Sequence, residues 1–269
     1  MRGWFSRDYE PLETVEPGSS VSFQVPNAGW FWDADLEPER PEGAGHALYG
    51  PVEVRGAKAG QTLAVRIDEV VPRDWGRTWA DGETFTWSRD GDWWHLGDRR
   101  VRSAPFLGVI GMPPPEPGEH STIPPRQWGG NIDCKELVAG TTLYLPIPVD
   151  GALLMTGDGH GAQGDGEVSG TAIECPLEHA TLTLDVDDRE LRSPIARTAD
   201  AWLAFGFDED LDAAAEQALA TMLDLMEQEL GAPRPECLAL ASVAVDLRVT
   251  QVVNEVKGIH AVLRDDAIR

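Results

Sequence analysis

The chain has 269 residues, 42% of them hydrophobic, 28 glycines, 20 prolines and a formal net charge of −24. That composition describes a globular protein with a real core, and so strong a negative charge excludes nucleic acid and anionic membrane surfaces as partners, because long-range repulsion opposes both encounters. No apolar run approaches the roughly 20 residues of a membrane span, the opening MRGWFSRDYE lacks a signal peptide's apolar stretch, and the three cysteines form no Cys-x-x-Cys, so a cytoplasmic protein with unpaired thiols is expected.

In the N-terminal third, Val15–Ser19 marks a turn, Val21–Val25 alternates into a strand, and Gly50–Arg55 and Thr62–Val71 give two more around a turn at Lys58–Gln61. Short strands punctuated by glycine and proline predict a mainly β fold, a sandwich- or barrel-like core of short antiparallel strands. Gly29–Gly45 sets Trp30, Phe31 and Trp32 among acids, a group that either lines a substrate pocket or caps a sheet edge. Asp74–His95 is rich in tryptophan and acids and reads as a long surface hairpin around Arg89–Asp92. It suits a lid, an oligomer contact or a two-stranded excursion pinned by its own aromatics. A stacking platform for nucleic acid would need basic neighbours. Met112–Arg126 is too rich in proline for a helix or a central strand, and forms a stiffened loop that carries His120 and Ser121 toward Gly129.

Gly129–Glu167 is the stretch with the most chemistry. Asn131, Asp133 and Lys135 alternate with Ile132 and Cys134, so an extended backbone sends the polar three to one face and Cys134 into the core. Asp158 and His160 flank Gly159, and Asp165 and Glu167 flank Gly166. Thr141–Pro148 and Ala152–Thr156 read as short buried strands joined at Val149–Gly151, a hairpin that would bring Asp133 to Asp158 and His160. Two like charges about 4 Å apart repel by roughly 4 kcal/mol at a dielectric of about 20. Converging carboxylates therefore need a cation or protons. Lys135 is one candidate cation and a divalent metal the other, and carboxylates with one imidazole suit Zn²⁺ with an open coordination position. The alternative is a set of solvated turn residues, because Gly, Asp and Asn dominate turns for backbone reasons alone.

Beyond this stretch, Val168–Glu174 and Ala180–Val186 read as strands, with Glu174 either facing the site or paired with an arginine, and His179 in a turn. Leu211–Leu230 is an amphipathic helix with Asp208–Asp210 at its start and Gly231 and Pro233 at its end. Glu236–Val245 reads as helix and Val249–Val253 as strand. The expected organisation is a β-rich core over residues 1–199 that carries the site, with an α/β portion over 200–269 packed on it. No GxGxxG, Walker, GxSxG or SxxK element is present, and the acidic Gly157–Gly166 loop would repel a phosphate.

Pro105–Glu174 resembles the acetamidase/formamidase family. The resemblance is carried by Pro105-Phe106-Leu107-Gly108, by Gly129-Gly130-Asn131-x-Asp133, by Gly151-Ala152-Leu153 and by Gly157-Asp158-x-His160-x-x-Gln163-Gly164-Asp165-Gly166-Glu167. Weaker matches extend to VEPGSSVSF and GPVEVRGAKAGQTLAVRI before it and SVAVDLRVTQVVNEVKGIHAVL after it. The resemblance implies hydrolysis of a short linear amide, of formamide or acetamide type, to a carboxylic acid and ammonia, and a structural role for His260. His46 stands where the family leads one to expect asparagine, and the Trp30–Trp32 tract is also a departure, which bears on substrate identity.

The expected roles follow. Asp133, Asp158 and His160 hold one divalent metal, Zn²⁺ by ligand type. Glu167 is the general base, Asn131 donates to the amide oxygen, and Lys135 balances charge. Asp165 orients His160, Glu174 supports the site, and His120, His46 and Trp32 meet the substrate. A homo-oligomer, a dimer first, is expected. Two rivals are a cyclic amide as substrate and a metal-stabilised β protein that binds a small ligand without turning it over. Metal-independent activity would return attention to Cys134 or Ser121 as nucleophile.

Overall fold

The computed structural model describes residues 1–36, 38 and 40–269, and its main sheets face each other across one hydrophobic core. The smaller has five strands in the order Glu13–Val15, Leu48–Val54, Leu154–His160, Phe106–Gly111 and Gly129–Asn131. The larger has eight, in the order Val245–Gln251, Lys257–Arg264, Ala201–Asp208, Ile195–Arg197, Thr142–Pro146, Thr62–Pro72, Leu177–Asp187 and Ser19–Val25. Only Glu13–Val15 and Leu48–Val54 pair in parallel among the described strands. The fold is thus mainly β and sandwich-like.

Period-two patterning explains the strands. Ser19–Val25 buries Val21, Phe23 and Val25 and exposes Ser20, Ser22 and Gln24. Thr62–Pro72 likewise turns Leu63, Val65 and Ile67 inward, where they meet Val52, Val54, Ile110 and Leu154 of the facing sheet. Leu154–His160 and Phe106–Gly111 are buried along their whole length. Both are apolar or small over most of their length, and in Leu154–His160 glycines flank the polar Asp158.

From Ala201 onward the chain adds strands to the same large sheet, and its two helices cover that sheet's outer face. Helix α1 (Leu211–Leu230) is capped by Asp210, which accepts from the backbone N–H of Asp212 and Ala213 at 2.8 and 3.1 Å, and it ends on Gly231 in the left-handed region at φ 64°. Ala214, Ala218, Met222 and Met226 pack against Ile195, Ala204, Ile259 and Ala261, while Leu203, Phe205 and Val262 of the same strands point into the inner core. Helix α2 (Arg234–Ala244) leads into the edge strand. No helix among the described residues is long and apolar enough to cross a membrane.

Several local expectations are corrected. Thr142–Pro146 and Leu154–His160 do not form a hairpin, since each joins a different sheet. The link between them is a corner, with positive φ at Gly151 (83°), Ala152 (61°) and Leu153 (61°), and it is tied to the 54–61 turn by Gly151 N–H on Ala57 O and Ile147 N–H on Gln61 O. The tryptophan-rich segment is a four-stranded meander, Trp75–Ala80, Glu83–Asp90, Trp93–Leu96 and Arg99–Arg102, rather than two strands. It is pinned from outside itself: Trp94 is fully buried and its indole N–H reaches Gly161 O at 3.1 Å. A Cβ on Gly161 would fall 2.4 Å from that ring, so the close approach requires glycine there. Val168–Glu174 is not a strand; Glu174 makes isolated bridges to Arg77 and His160. His179 lies in the strand Leu177–Asp187, with Nε2 at 2.9 Å from Glu69, not in a turn.

Candidate active site

The strand Phe106–Gly111 runs between Leu154–His160 and Gly129–Asn131, and Gly108 at its middle is the floor of the site. Asp158 and His160, two residues apart, leave one face of their strand, and His160 is buttressed edge-on by Phe106 at 4.9 Å between ring centroids. Asp133 arrives from the other side, where the N–H groups of Ile132 and Asp133 both bond to Gly108 O, at 3.0 and 3.2 Å. A Cβ built on Gly108 would lie 2.6 Å from Asp158 Oδ2, 2.7 Å from Asp133 Oδ1 and 2.7 Å from His160 Cε1. The missing methyl is what lets these groups converge.

Around them, His160 Nε2 lies 3.2 Å from Asp158 Oδ2 and 3.4 Å from Glu174 Oε2, and His46 Nε2 lies 4.0 Å from Asp158 Oδ2. Ligand-type atoms of Asp133, Asp158 and His160 fall within 4.8 Å of one another, as do those of His160, Glu167 and Glu174. All five residues are at least 94% buried, with Glu167 the most exposed at 6%. Asp133, Asp158 and Glu167 are also three of the eight non-glycine residues with positive φ among those described. Backbone strain of this kind collects at functional sites because the surrounding structure must hold it in place.

Burial pushes Asp133 up to about 7, against the pull of the His160 imidazole. Burial, then the Asp133 carboxylate, pushes Glu167 to about 10. Burial also raises Glu174 to about 7. Burial acts to raise Asp158 too, but the His160 and His46 imidazoles outweigh it and hold it below the ordinary carboxylate range. The Glu174 and Asp158 carboxylates lift His160 well above its ordinary value against its burial, whereas burial lowers His46. Without a cation, then, protons on Glu167 and His160 offset the clustered carboxylates. Asp133 Oδ1, Asp158 Oδ1, Glu174 Oε2 and both ring nitrogens of His160 are buried with no hydrogen-bond partner. Lone pairs gathered this way suit a divalent cation, and a set of carboxylates with one imidazole suits Zn²⁺.

Comparison with known proteins bears on the family and the fold. Residues 116–189 match the model of the Acetamidase/Formamidase family. The acetamidase of Mycolicibacterium smegmatis is 48% identical over 48 residues, a segment that is 18% of this chain and 12% of the relative. The crystal structure of an acetamidase from Bacillus halodurans superposes with a TM-score of 0.89 at 29% identity, covering 97% of this chain and 94% of that one. A recombinant predicted acetamidase/formamidase from Thermoanaerobacter tengcongensis gives 0.90 at 25% identity, covering 97% and 92%. The resemblance to the acetamidase/formamidase family holds.

Its central motif maps directly onto the cluster, with Gly108, Asp133, Asp158, His160 and Glu167 all drawn from the quoted family pieces. Of the other expected site residues, Glu174 faces the site: Oε1 accepts from Ala172 N–H at 2.8 Å and Oε2 is turned to His160. His46 also reaches it, its ring fixed by Nδ1 against Thr122 Oγ1 at 2.9 Å. Lys135 and Asp165 do not join. They pair with each other at 3.1 Å, and Arg248 takes the second Asp165 oxygen, so Asp165 does not orient His160. Asn131 sits opposite Val109 rather than Gly108, and its amide donates to Ile123 O. His120 bonds through Nε2 to Glu116 O, and Trp32 lies against Arg73, whose guanidinium carbon is 5.5 Å from the ring centroid. Cys134 is fully buried in the core.

Two residues went unremarked in the sequence. Asn254 donates from Nδ2 to Asp133 Oδ2, and Gln163 donates from Nε2 to Asp133 O at 2.7 Å. Gln163 stands inside the family motif and Asn254 inside its weaker C-terminal match, so the signal was membership of those segments rather than chemistry. A cavity of about 390 Å³ opens beside Glu167, walled by Trp87 and Val101 of the meander, by Ile173 and by Gln163.

Proposed function

We propose that the chain is a metal-dependent amidase that hydrolyses a small amide to a carboxylic acid and ammonia. The observation that carries the reading is the set of unpartnered, buried ligand atoms of Asp133, Asp158 and His160, whose side chains converge over Gly108, with Glu174 Oε2 beside His160. Asp133, Asp158 and His160 would hold the ion, with Glu174 at hand. A divalent cation there, Zn²⁺ by donor type, would supply Lewis-acid activation of the attacking water and of the amide carbonyl.

The protein's own groups do the rest. Asn254 and Gln163 fix the Asp133 segment by its carboxylate and its carbonyl, and Phe106 packs edge-on against His160 and sets its plane. Glu167 lines the cavity, and a bound cation would offset the neighbouring carboxylate charges that help raise it, so that it ionises and takes a proton from water as the water oxygen bonds to the acyl carbon. As the C–N bond breaks, it returns that proton to the nitrogen, which leaves as ammonia. Burial excludes competing water and strengthens each electrostatic contact. Glu167→Gln keeps size and hydrogen bonding but cannot carry the proton. Turnover is expected to fall by about 100- to 10,000-fold with metal content unchanged, and a Gln variant as active as the parent would remove Glu167 from the chemistry.

A second reading of the substrate is favoured by the cavity. At about 390 Å³ with Trp87, Val101 and Ile173 on its walls, it accommodates an apolar acyl group larger than that of acetamide. For the expected homodimer, support comes from exposed Leu238 and Val243 on α2 and Leu247 on the adjoining edge strand.

A further inference from the structure

A second cluster of metal-ligand type lies behind the first, and the amidase reading makes no use of it. Cys134 follows Asp133 directly but is buried on the opposite side, and Glu136 and His260 meet it there, with ligand atoms of all three within 4.8 Å of one another. Cys134 Sγ is 3.3 Å and His260 Nε2 is 3.6 Å from the same oxygen, Glu136 Oε2. The other oxygen of that carboxylate is already committed, since Oε1 accepts from Arg248 Nη1 at 2.5 Å. Arg248 is in turn bound to Asp165, so its charge is shared with a second carboxylate.

His260 is the deciding element. Its side chain is fully buried on the strand Lys257–Arg264, and Nδ1 lies 2.8 Å from Thr250 Oγ1. With Nδ1–H donating to that hydroxyl, Nε2 keeps its lone pair, and Nε2 has no hydrogen-bond partner. A buried lone pair thus faces a carboxylate oxygen and a sulfur, and hydrogen bonding to Nδ1 is the arrangement that fixes a ligating imidazole. We propose that Cys134, Glu136 and His260 form a second site for a thiophilic divalent cation such as Zn²⁺. The thiol proton is released to solvent on binding, and water completes the coordination. The ion would tie the 132–138 loop to the large sheet, and so hold Asp133, the preceding residue, over Gly108.

Cobalt substitution tests this independently of any amidase activity. A thiolate bound to Co²⁺ gives an intense near-ultraviolet charge-transfer band, whereas a site of carboxylates and imidazole gives none. Metal-stripped protein titrated with Co²⁺ should develop that band. Cys134→Ser should lose it and bind one Co²⁺ fewer per chain. Should Cys134→Ser fail to fold, His260→Gln provides the second variant, with a weakened or shifted band expected. Co²⁺ binding without the band, a band that survives in Cys134→Ser, or no binding at all would each overturn the proposal.

Discussion

Gly108→Ala probes the heart of the site with a single methyl group. The backbone of Gly108 is not in the left-handed region, so alanine brings no conformational strain and acts only through its Cβ. That carbon would stand 2.6 to 2.7 Å from Asp158 Oδ2, Asp133 Oδ1 and His160 Cε1. Ordinary contact begins at about 3.5 Å, so each group must retreat by roughly 0.8 to 0.9 Å, and none has free space because all are buried. Overpacking of this kind costs about 1–3 kcal/mol, which for a chain of this size lowers Tm by about 2–12 °C. A displacement approaching 1 Å at the reacting groups costs about 100-fold in rate. Thermal melting and ammonia release on the same preparation give both numbers. A Gly108→Ala variant with parental Tm and parental turnover would refute the convergence of Asp133, Asp158 and His160 over that residue.

Two more outcomes follow from the same geometry. In metal-stripped protein Asp133 and Glu174 titrate near 7 and Glu167 near 10, above the usual carboxylate values of about 4. Carboxyls with raised folded-state values contribute stability below their ordinary pKa and lose it as pH rises through the folded one, so the stripped protein should melt lower at pH 9 than at pH 5. Added Zn²⁺ should flatten that slope, and a stripped protein whose Tm rises with pH over this range contradicts the clustering. Trp87→Ala should raise KM for butyramide by roughly tenfold and leave acetamide nearly unchanged; equal changes for both amides would show that the cavity beside Glu167 is not the acyl pocket.

The strands of the sandwich and α1 are legible in the chain because their patterning is local. Val21–Val25 alternates, and Leu211–Leu230 carries its own Asp210 cap and Gly231 stop. The partners of Leu154–His160 are not legible, because which sheet a buried strand joins depends on the corner at Gly151–Leu153, not on the strand's own residues. The site divides along the same line. Asp133, Asp158, His160 and Glu167 stand out as acids and imidazole among glycines, and the structure brings them together, though across Gly108 rather than across a hairpin. Lys135 and Asp165 looked equally suitable by spacing, but positive φ at Asp133 (52°) breaks the alternation that would have kept Lys135 on the same face. Arg248, a distant residue, then takes the second oxygen of Asp165 beside their pairing. His46 and Asn254 reach the cluster from segments far away in sequence, and no local pattern reports such an approach.

The most direct test of the account is ammonia release from formamide, acetamide and butyramide by protein freed of metal, before and after addition of Zn²⁺. The account predicts no turnover of any of them by the stripped protein and restored turnover of at least one with the metal. Full activity in the stripped protein would contradict it and remove the metal from the chemistry.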